Sequence, residues 1–378
     1  MNTFHTWPTP TRAAHPTPAS RCPLAKPTGR GPRLSARALH RSIAGRALAL
    51  ALALGLAGFF SAANGQTMNG FDLSQRDIPL DEIHRGGPPR DGIPALTDPE
   101  FVAATAAHGL QADDRILGIH RDGVAKAYPL GIMNYHEVVN DVVAGEAIAV
   151  TYCPLCFTGM AYVARTEDGS RRLFGVSGLL YNSAVLFYDR ESESLWSQIS
   201  ARAVTGPRLG EQLTMVPVAN TTWSAWLREH PDTLVLSRNT DYARNYDRDP
   251  YAAYAKDDAL MFPVAFRMQG KHPKTPVLGV RIGDAARAYP FPAFPETGHH
   301  RLEDTLADRE ITLLIDADAQ TGRVFDAQGE EIPSLIAYWF AWFTFHPHTE
   351  RYTGDPAPLP LPDVTLAPPP PDGGQTSR

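Results

Sequence analysis

Leu117-Gly118-Ile119, followed by Ala127-Tyr128-Pro129-Leu130, returns later in the chain as Leu278-Gly279-Val280 followed by Ala288-Tyr289-Pro290-Phe291. Two further blocks recur in the same order. Ala147–Tyr152 (AIAVTY) is matched by Glu310–Ile315 (EITLLI). Trp223-Ser224-Ala225-Trp226, with His230-Pro231 and Thr233, is matched by Trp339-Phe340-Ala341-Trp342, with His346-Pro347 and Thr349. Ordered self-similarity of this kind is the mark of an internal duplication. It predicts two related units, 113–240 and 274–355. The second is shorter and lacks a counterpart of much of Phe174–Gln198.

The units read as β-meanders. Arg115–His120 and Val124–Pro129 flank the turn pair Asp122-Gly123, and AIAVTY is a short apolar run rich in strand formers. Met160–Arg165, Arg172–Val176, Ala184–Asp189 and Ser194–Gln198 continue the pattern, whereas Thr222–His230 has helical spacing. The expected fold class is α+β and β-rich: two related β-meander units packed as one domain. Residues 67–112 read as an N-terminal arm with a short helix near Pro99–His108, and 241–273 as a connector. Residues 356–378 carry eight prolines and read as a disordered tail, extended and exposed.

The start of the chain has a different character. Residues 1–66 hold eight Lys/Arg and no acid, and the apolar run Ala47–Phe60 precedes Ser61-Ala62-Ala63. A basic flank, a short apolar core and small residues predict a signal peptide with a long basic leader, and a periplasmic or secreted location. An uncleaved N-terminal anchor is the alternative. The whole chain carries −6 and residues 1–66 contribute +8, leaving −14 for the rest. That acidity argues against nucleic-acid binding, and no stretch after residue 66 is apolar and long enough for a membrane span.

Cysteine use then narrows the chemistry. Of three cysteines, Cys22 falls in the leader, so Cys153 and Cys156 are the only thiols of the mature part. They lie in Thr151-Tyr152-Cys153-Pro154-Leu155-Cys156. A C-x-x-C pair can close a small disulfide ring, and its thiolate is the reactive form. The flanking stretches read as strands, so the pair is placed on a β-turn and lacks the helix N-terminus that lowers thiol pKa in thioredoxin-like proteins. His136, seventeen residues earlier, is the candidate proton acceptor or thiolate stabiliser. In the second unit Asp316 stands opposite Cys153, and His299 opposite His136.

AYPLGIMNYHEVVND before TYCPLC, and FGVSGLLYNSAVLFYDRESESLWSQ after it, resemble the bacterial domain-of-unknown-function family 3179. The likeness runs from Asp91 to Pro347. Some members of that family are selenoproteins, which implies redox chemistry at the cysteine positions. Phe157 departs from the small or polar residue expected there.

Three readings stay open. The first is a thiol–disulfide couple, with Cys153 attacking, Cys156 resolving and an electron-transfer or thiol partner. The second is a zinc or copper site of Cys153, Cys156 and His136; a closed four-cysteine site is excluded by the cysteine count. The third is a non-catalytic scaffold or binding protein with a structural disulfide or inert thiols. Tyr181-Asn182-Ser183 is a candidate pocket element, although such residues equally serve turns. The tryptophans read as core, and the His299-His300 doublet as non-ligating. There is no GxxxxGK[ST], no HExxH and no nucleophile elbow.

Overall fold

A computed structural model describes residues 66–267 and 272–361. The expected signal peptide, and the tail from residue 362, lie outside the described residues. Among the described residues the chain is β-rich with few helices, and its main sheets are arranged like a five-bladed propeller. No helix there is long and apolar enough to cross a membrane.

The first sheet is built on the hairpin β1 (Arg115–Arg121) and β2 (Val124–Pro129). The helix α1 (Leu130–His136) leads into the second sheet, where β3 (Val138–Val143), β4 (Glu146–Cys153) and β5 (Thr158–Val163) run antiparallel. The third holds β6 (Phe174–Tyr181), β7 (Ala184–Asp189) and β8 (Leu195–Ser197). The chain then returns to the first sheet with β9 (Ala219–Thr222), α2 (Trp223–Glu229) and β10 (Leu234–Leu236). After α3 (Ala252–Ala255) comes the fourth sheet, with β11 (Pro276–Ile282) and β12 (Ala285–Pro290). The fifth follows, with β13 (His299–Leu306), β14 (Arg309–Asp316) and β15 (Thr321–Asp326). The fourth is completed by β16 (Ser334–Tyr338), α4 (Trp339–Phe345) and β17 (Glu350–Arg351).

The strands fill five separate sheets instead of the two meander units expected. Phe174–Gln198 carries β6 to β8, so residues 113–240 supply three sheets and residues 274–355 two. The arm is also not separate. Ile83–Arg85, Leu96–Thr97 and Phe101–Ala103 pair as outer strands of the third, second and first sheets. Near Pro99–His108 the expected short helix is a strand followed by a single 3-10 turn, Ala104–Ala106. The proline-rich tail starts as structure too. Its strand β18 (Leu359–Leu361) pairs with β13 at the sheet edge, where the missing N–H of Pro360 is tolerated.

The first and fourth sheets share a pairing scheme. β9 lies antiparallel to β1 and β10 parallel to β2; β16 lies antiparallel to β11 and β17 parallel to β12. In each, a tryptophan covers a strand glycine. A Cβ on Gly118 would sit 2.4 Å from the Trp226 ring, and one on Gly279 2.2 Å from Trp342. Each indole N–H is tied, Trp226 to Thr233 Oγ1 at 2.9 Å and Trp342 to Thr349 Oγ1 at 2.8 Å, so the rings cannot slide away freely. Gly118→Ala should therefore cost about 1–3 kcal/mol of stability through overpacking. Urea unfolding measures it, and an unchanged midpoint would mean that Trp226 is not seated on β1.

The core explains why β4 reads as an unbroken apolar run. Its alternating side chains serve two clusters: Ala147, Ala149 and Cys153 face one, Ile148, Val150 and Tyr152 the other. A strand covered on both faces needs no polar alternation.

Candidate functional site

Cys153 ends β4, Thr158 opens β5, and the two are paired across the ladder. The cysteines therefore bracket a tight β-turn, closed by Cys156 N–H on Cys153 O at 3.2 Å. Phe157 leaves that turn at φ +58°, a left-handed conformation that costs a non-glycine residue roughly 1–2 kcal/mol. Its surroundings offset the cost. The Phe157 ring stacks on Tyr338 at 5.3 Å, and the Arg115 guanidinium lies 5.2 Å from its centre. Tyr338 N–H donates to Cys156 O at 2.8 Å, and Asn220 Nδ2 to Phe157 O at 3.3 Å. The first and fourth sheets thus clamp the loop. A large ring at 157 acts as the peg that a small residue could not provide.

Both thiols are free and buried, Cys153 at 1 % exposure and Cys156 at 0 %. Cys156 Sγ lies 3.3 Å from Ser183 O, to which its S–H donates. The two sulfurs differ in environment. Burial alone would raise the pKa of Cys153, but the Cys156 thiol and the backbone of Val185, Cys156 and Leu155 outweigh it and lower the value. Burial, and then the charges of Cys153 and Glu137, push Cys156 well up. Beneath the turn, Gln198 joins the strands. Thr158 Oγ1 donates to Gln198 Oε1 at 2.8 Å, and Gln198 Nε2 donates to Thr151 Oγ1 at 3.0 Å.

His136 closes α1 with both ring nitrogens engaged: Nδ1 is 2.8 Å from Pro94 O and Nε2 2.7 Å from Tyr246 OH. Burial lowers its pKa, against the pull of the Pro94 carbonyl. The neutral imidazole has no nitrogen left for a sulfur or a metal. Its neighbour Glu137 meets the strand that carries Cys153. Glu137 caps α1 in the left-handed region at φ +56°, its N–H bonds Met133 O, and its carbonyl accepts from Tyr152 N at 2.8 Å, one residue from Cys153. The carboxyl is buried, and burial together with the charge on Cys153 pushes its pKa up to about 8.

A strap over residues 241–267 crosses this region. Asn134 Nδ2 donates to Asp249 Oδ1 at 3.2 Å, Tyr135 OH to Arg248 O at 2.8 Å, and Lys274 Nζ holds the end of α3 through Tyr254 O and Ala259 O. Burial foremost, then the charges of Glu137 and Cys153, raises the Tyr251 phenol; burial and the two sulfurs raise that of Tyr254. In front lies a cleft of about 710 Å³ whose wall includes Tyr152, Pro154, Phe157, Tyr251 and Tyr338. Pro154, between the two cysteines in the chain, is part of that wall.

The family model described as "Protein of unknown function (DUF3179)" matches residues 90–349. The chain belongs to the DUF3179 family. No curated protein and no solved structure matches it.

Within this DUF3179 chain the residues singled out in the sequence divide. Cys153, Cys156 and Ser183 meet. Asn182 and Ser183 form the β6–β7 turn, both at positive φ, and Ser183 offers its carbonyl to Cys156. Asn182 instead secures the strap, its Oδ1 accepting from Ala265 N at 2.7 Å, and Tyr181 packs edge-on against Phe345. Among the described residues no group of three or more His, Cys, Asp or Glu is placed to hold a metal ion. Sequence reasoning missed Glu137, Gln198 and the strap tyrosines. Register could have shown the first, because pairing Val138 with Thr151 puts residue 137 opposite Tyr152.

Proposed function

We propose that this DUF3179 protein is an exported thiol–disulfide redox protein, with Cys153 the attacking thiolate and Cys156 the resolving thiol. The observation that carries the reading is the pair itself: two free thiols on one clamped turn, in surroundings that favour ionisation of the first and oppose it in the second. Separating nucleophile from resolver is what a dithiol couple requires. Glu137 replaces His136 as the proton-carrying group beside the pair, because the imidazole is committed to Pro94 and Tyr246. A zinc or copper site that included His136 would need that imidazole released, whereas the redox reading leaves it in place. The basic leader and apolar run support export, where a dithiol would meet its partner in an oxidising compartment.

We also read the first and fourth sheets as copies of one unit, supported by their shared pairing and by the Trp226–Gly118 and Trp342–Gly279 contacts. The third sheet is then the insertion that builds the far wall of the cysteine site in one copy only.

The test is a pH titration of thiolate ultraviolet absorbance in the reduced protein. One thiolate should form below the usual cysteine range. It should vanish in Cys153→Ser and move upward in Cys156→Ser, which removes a donor to Cys153. Two thiols that ionise together in the ordinary or alkaline range would overturn the reading.

A further inference from the structure

Cys153 and Cys156 are 1 % and 0 % exposed, and the wall of the cleft in front of them includes Pro154, Tyr152, Tyr251 and Tyr338. Thiolate attack on a disulfide needs a substituted sulfur brought in line with the nucleophile. A protein disulfide would have to displace this wall to reach that position, and a molecule the size of two oxygens displaces least of it. Resting on the redox reading above, we propose that the electron acceptor of the reduced Cys153/Cys156 pair is a small hydroperoxide.

Three features of the site fit that acceptor. The first is Glu137. A departing thiol has an ordinary pKa of about 8.5 and leaves without help. A departing hydroxide or alkoxide, whose conjugate acid has a pKa of roughly 16, needs a proton. Glu137, whose backbone pairs with β4 one residue from Cys153, carries a buried carboxyl that is neutral below about pH 8 and feels the charge on Cys153. Cys153, Cys156 and Tyr251 are the titratable groups that act on it or are acted on by it. The second is Ser183, whose Oγ is buried without a hydrogen-bond partner among the described residues while its carbonyl touches Cys156. A buried orphan hydroxyl is costly, and a polar guest at the pair would satisfy it. The third is the backbone of Leu155, Cys156 and Val185, which already favours charge at Cys153.

The steps balance. The Cys153 thiolate attacks the terminal peroxide oxygen; the S–O bond forms, the O–O bond breaks, and the alkoxide leaves as an alcohol with the Glu137 proton. Cys153 is now a sulfenic acid. Cys156 passes its proton to the Glu137 carboxylate and attacks the Cys153 sulfur. The S–S bond forms, the S–O bond breaks, and hydroxide leaves as water with that same proton. The hydroperoxide has been reduced by two electrons and the dithiol oxidised to a disulfide, which an external dithiol returns to the start.

The experiment mixes hydrogen peroxide with the reduced full chain carrying Cys22→Ser, and follows peroxide loss and thiol count. One peroxide should be consumed per two thiols lost, faster than by free cysteine at the same pH. In Cys156→Ser, dimedone should trap a sulfenic acid at Cys153. Glu137→Gln should slow peroxide loss by about 100-fold, the usual size of a general-acid contribution, and flatten its pH profile near 8. A pair that equilibrates as a disulfide with dithiothreitol, yet consumes peroxide no faster than free cysteine, overturns this inference and leaves the redox reading standing. A pair that forms no disulfide with either reagent overturns both. An unchanged rate and pH profile in Glu137→Gln removes Glu137 as the proton donor.

Discussion

Glu137→Gln should stabilise the protein by about 5 kcal/mol near pH 9 and leave its stability unchanged near pH 4. The ordinary value for the carboxyl is 4.5, and the folded protein holds it at about 8. Between those limits the folded chain keeps a proton that the unfolded chain releases, so rising pH favours unfolding. The loss begins near the unfolded value and is complete once pH passes about 8. Glutamine keeps the size and polarity of the neutral acid but has no charge to desolvate. Cys153, whose pKa is lowered, acts in the opposite sense, since it contributes stability that is lost as pH falls. The difference between wild type and variant isolates the carboxylate. Urea unfolding at both pH values measures it, and parallel pH dependence of the two proteins would mean that Glu137 is not held neutral. A stabilising substitution beside the thiols is the pattern expected where a buried acid is kept for its chemistry.

How much of this was legible in the sequence depends on whether the information is local. The Gly118–Trp226 and Gly279–Trp342 contacts could be anticipated because the repeated blocks preserve both partners. The turn at Cys153 was readable because AIAVTY and the residues after Phe157 have strand character on either side. His136 misled for a physical reason. A histidine near a cysteine motif suggests a base, but its nitrogens are taken by Pro94 and Tyr246, groups 42 and 110 positions away that no local pattern reveals. Glu137 was legible only through strand register, because its burial follows from the left-handed cap that ends α1 and from the pairing of β3 with β4. The strap read as a connector, since Tyr246, Tyr251 and Tyr254 show their purpose only once folded over the second sheet. At the C-terminal end proline content suggested disorder from residue 356, yet one edge strand accepts Pro360.

The second large effect concerns the pair itself. A reduced form whose thiolate is stabilised by surrounding donors makes the corresponding disulfide a better oxidant. Cys153 has such donors in Cys156 and in the backbone of Val185, Cys156 and Leu155. Its disulfide should therefore lie above about −300 mV, the level below which structural disulfides of secreted proteins usually sit. Equilibration through local opening does not depend on free access to the sulfurs, so buried thiols still report their true potential given time. Removing either cysteine removes the couple altogether.

The direct measurement is a redox titration of the Cys22→Ser chain in dithiothreitol buffers, with acid quenching, thiol blocking and mass analysis. The expected result is one two-electron transition, with a tenfold change in ratio per about 30 mV and a midpoint above about −300 mV, absent in Cys153→Ser and in Cys156→Ser. Thiols that stay free at every ratio, or a disulfide that stays closed far below −300 mV on the same scale, would contradict the account.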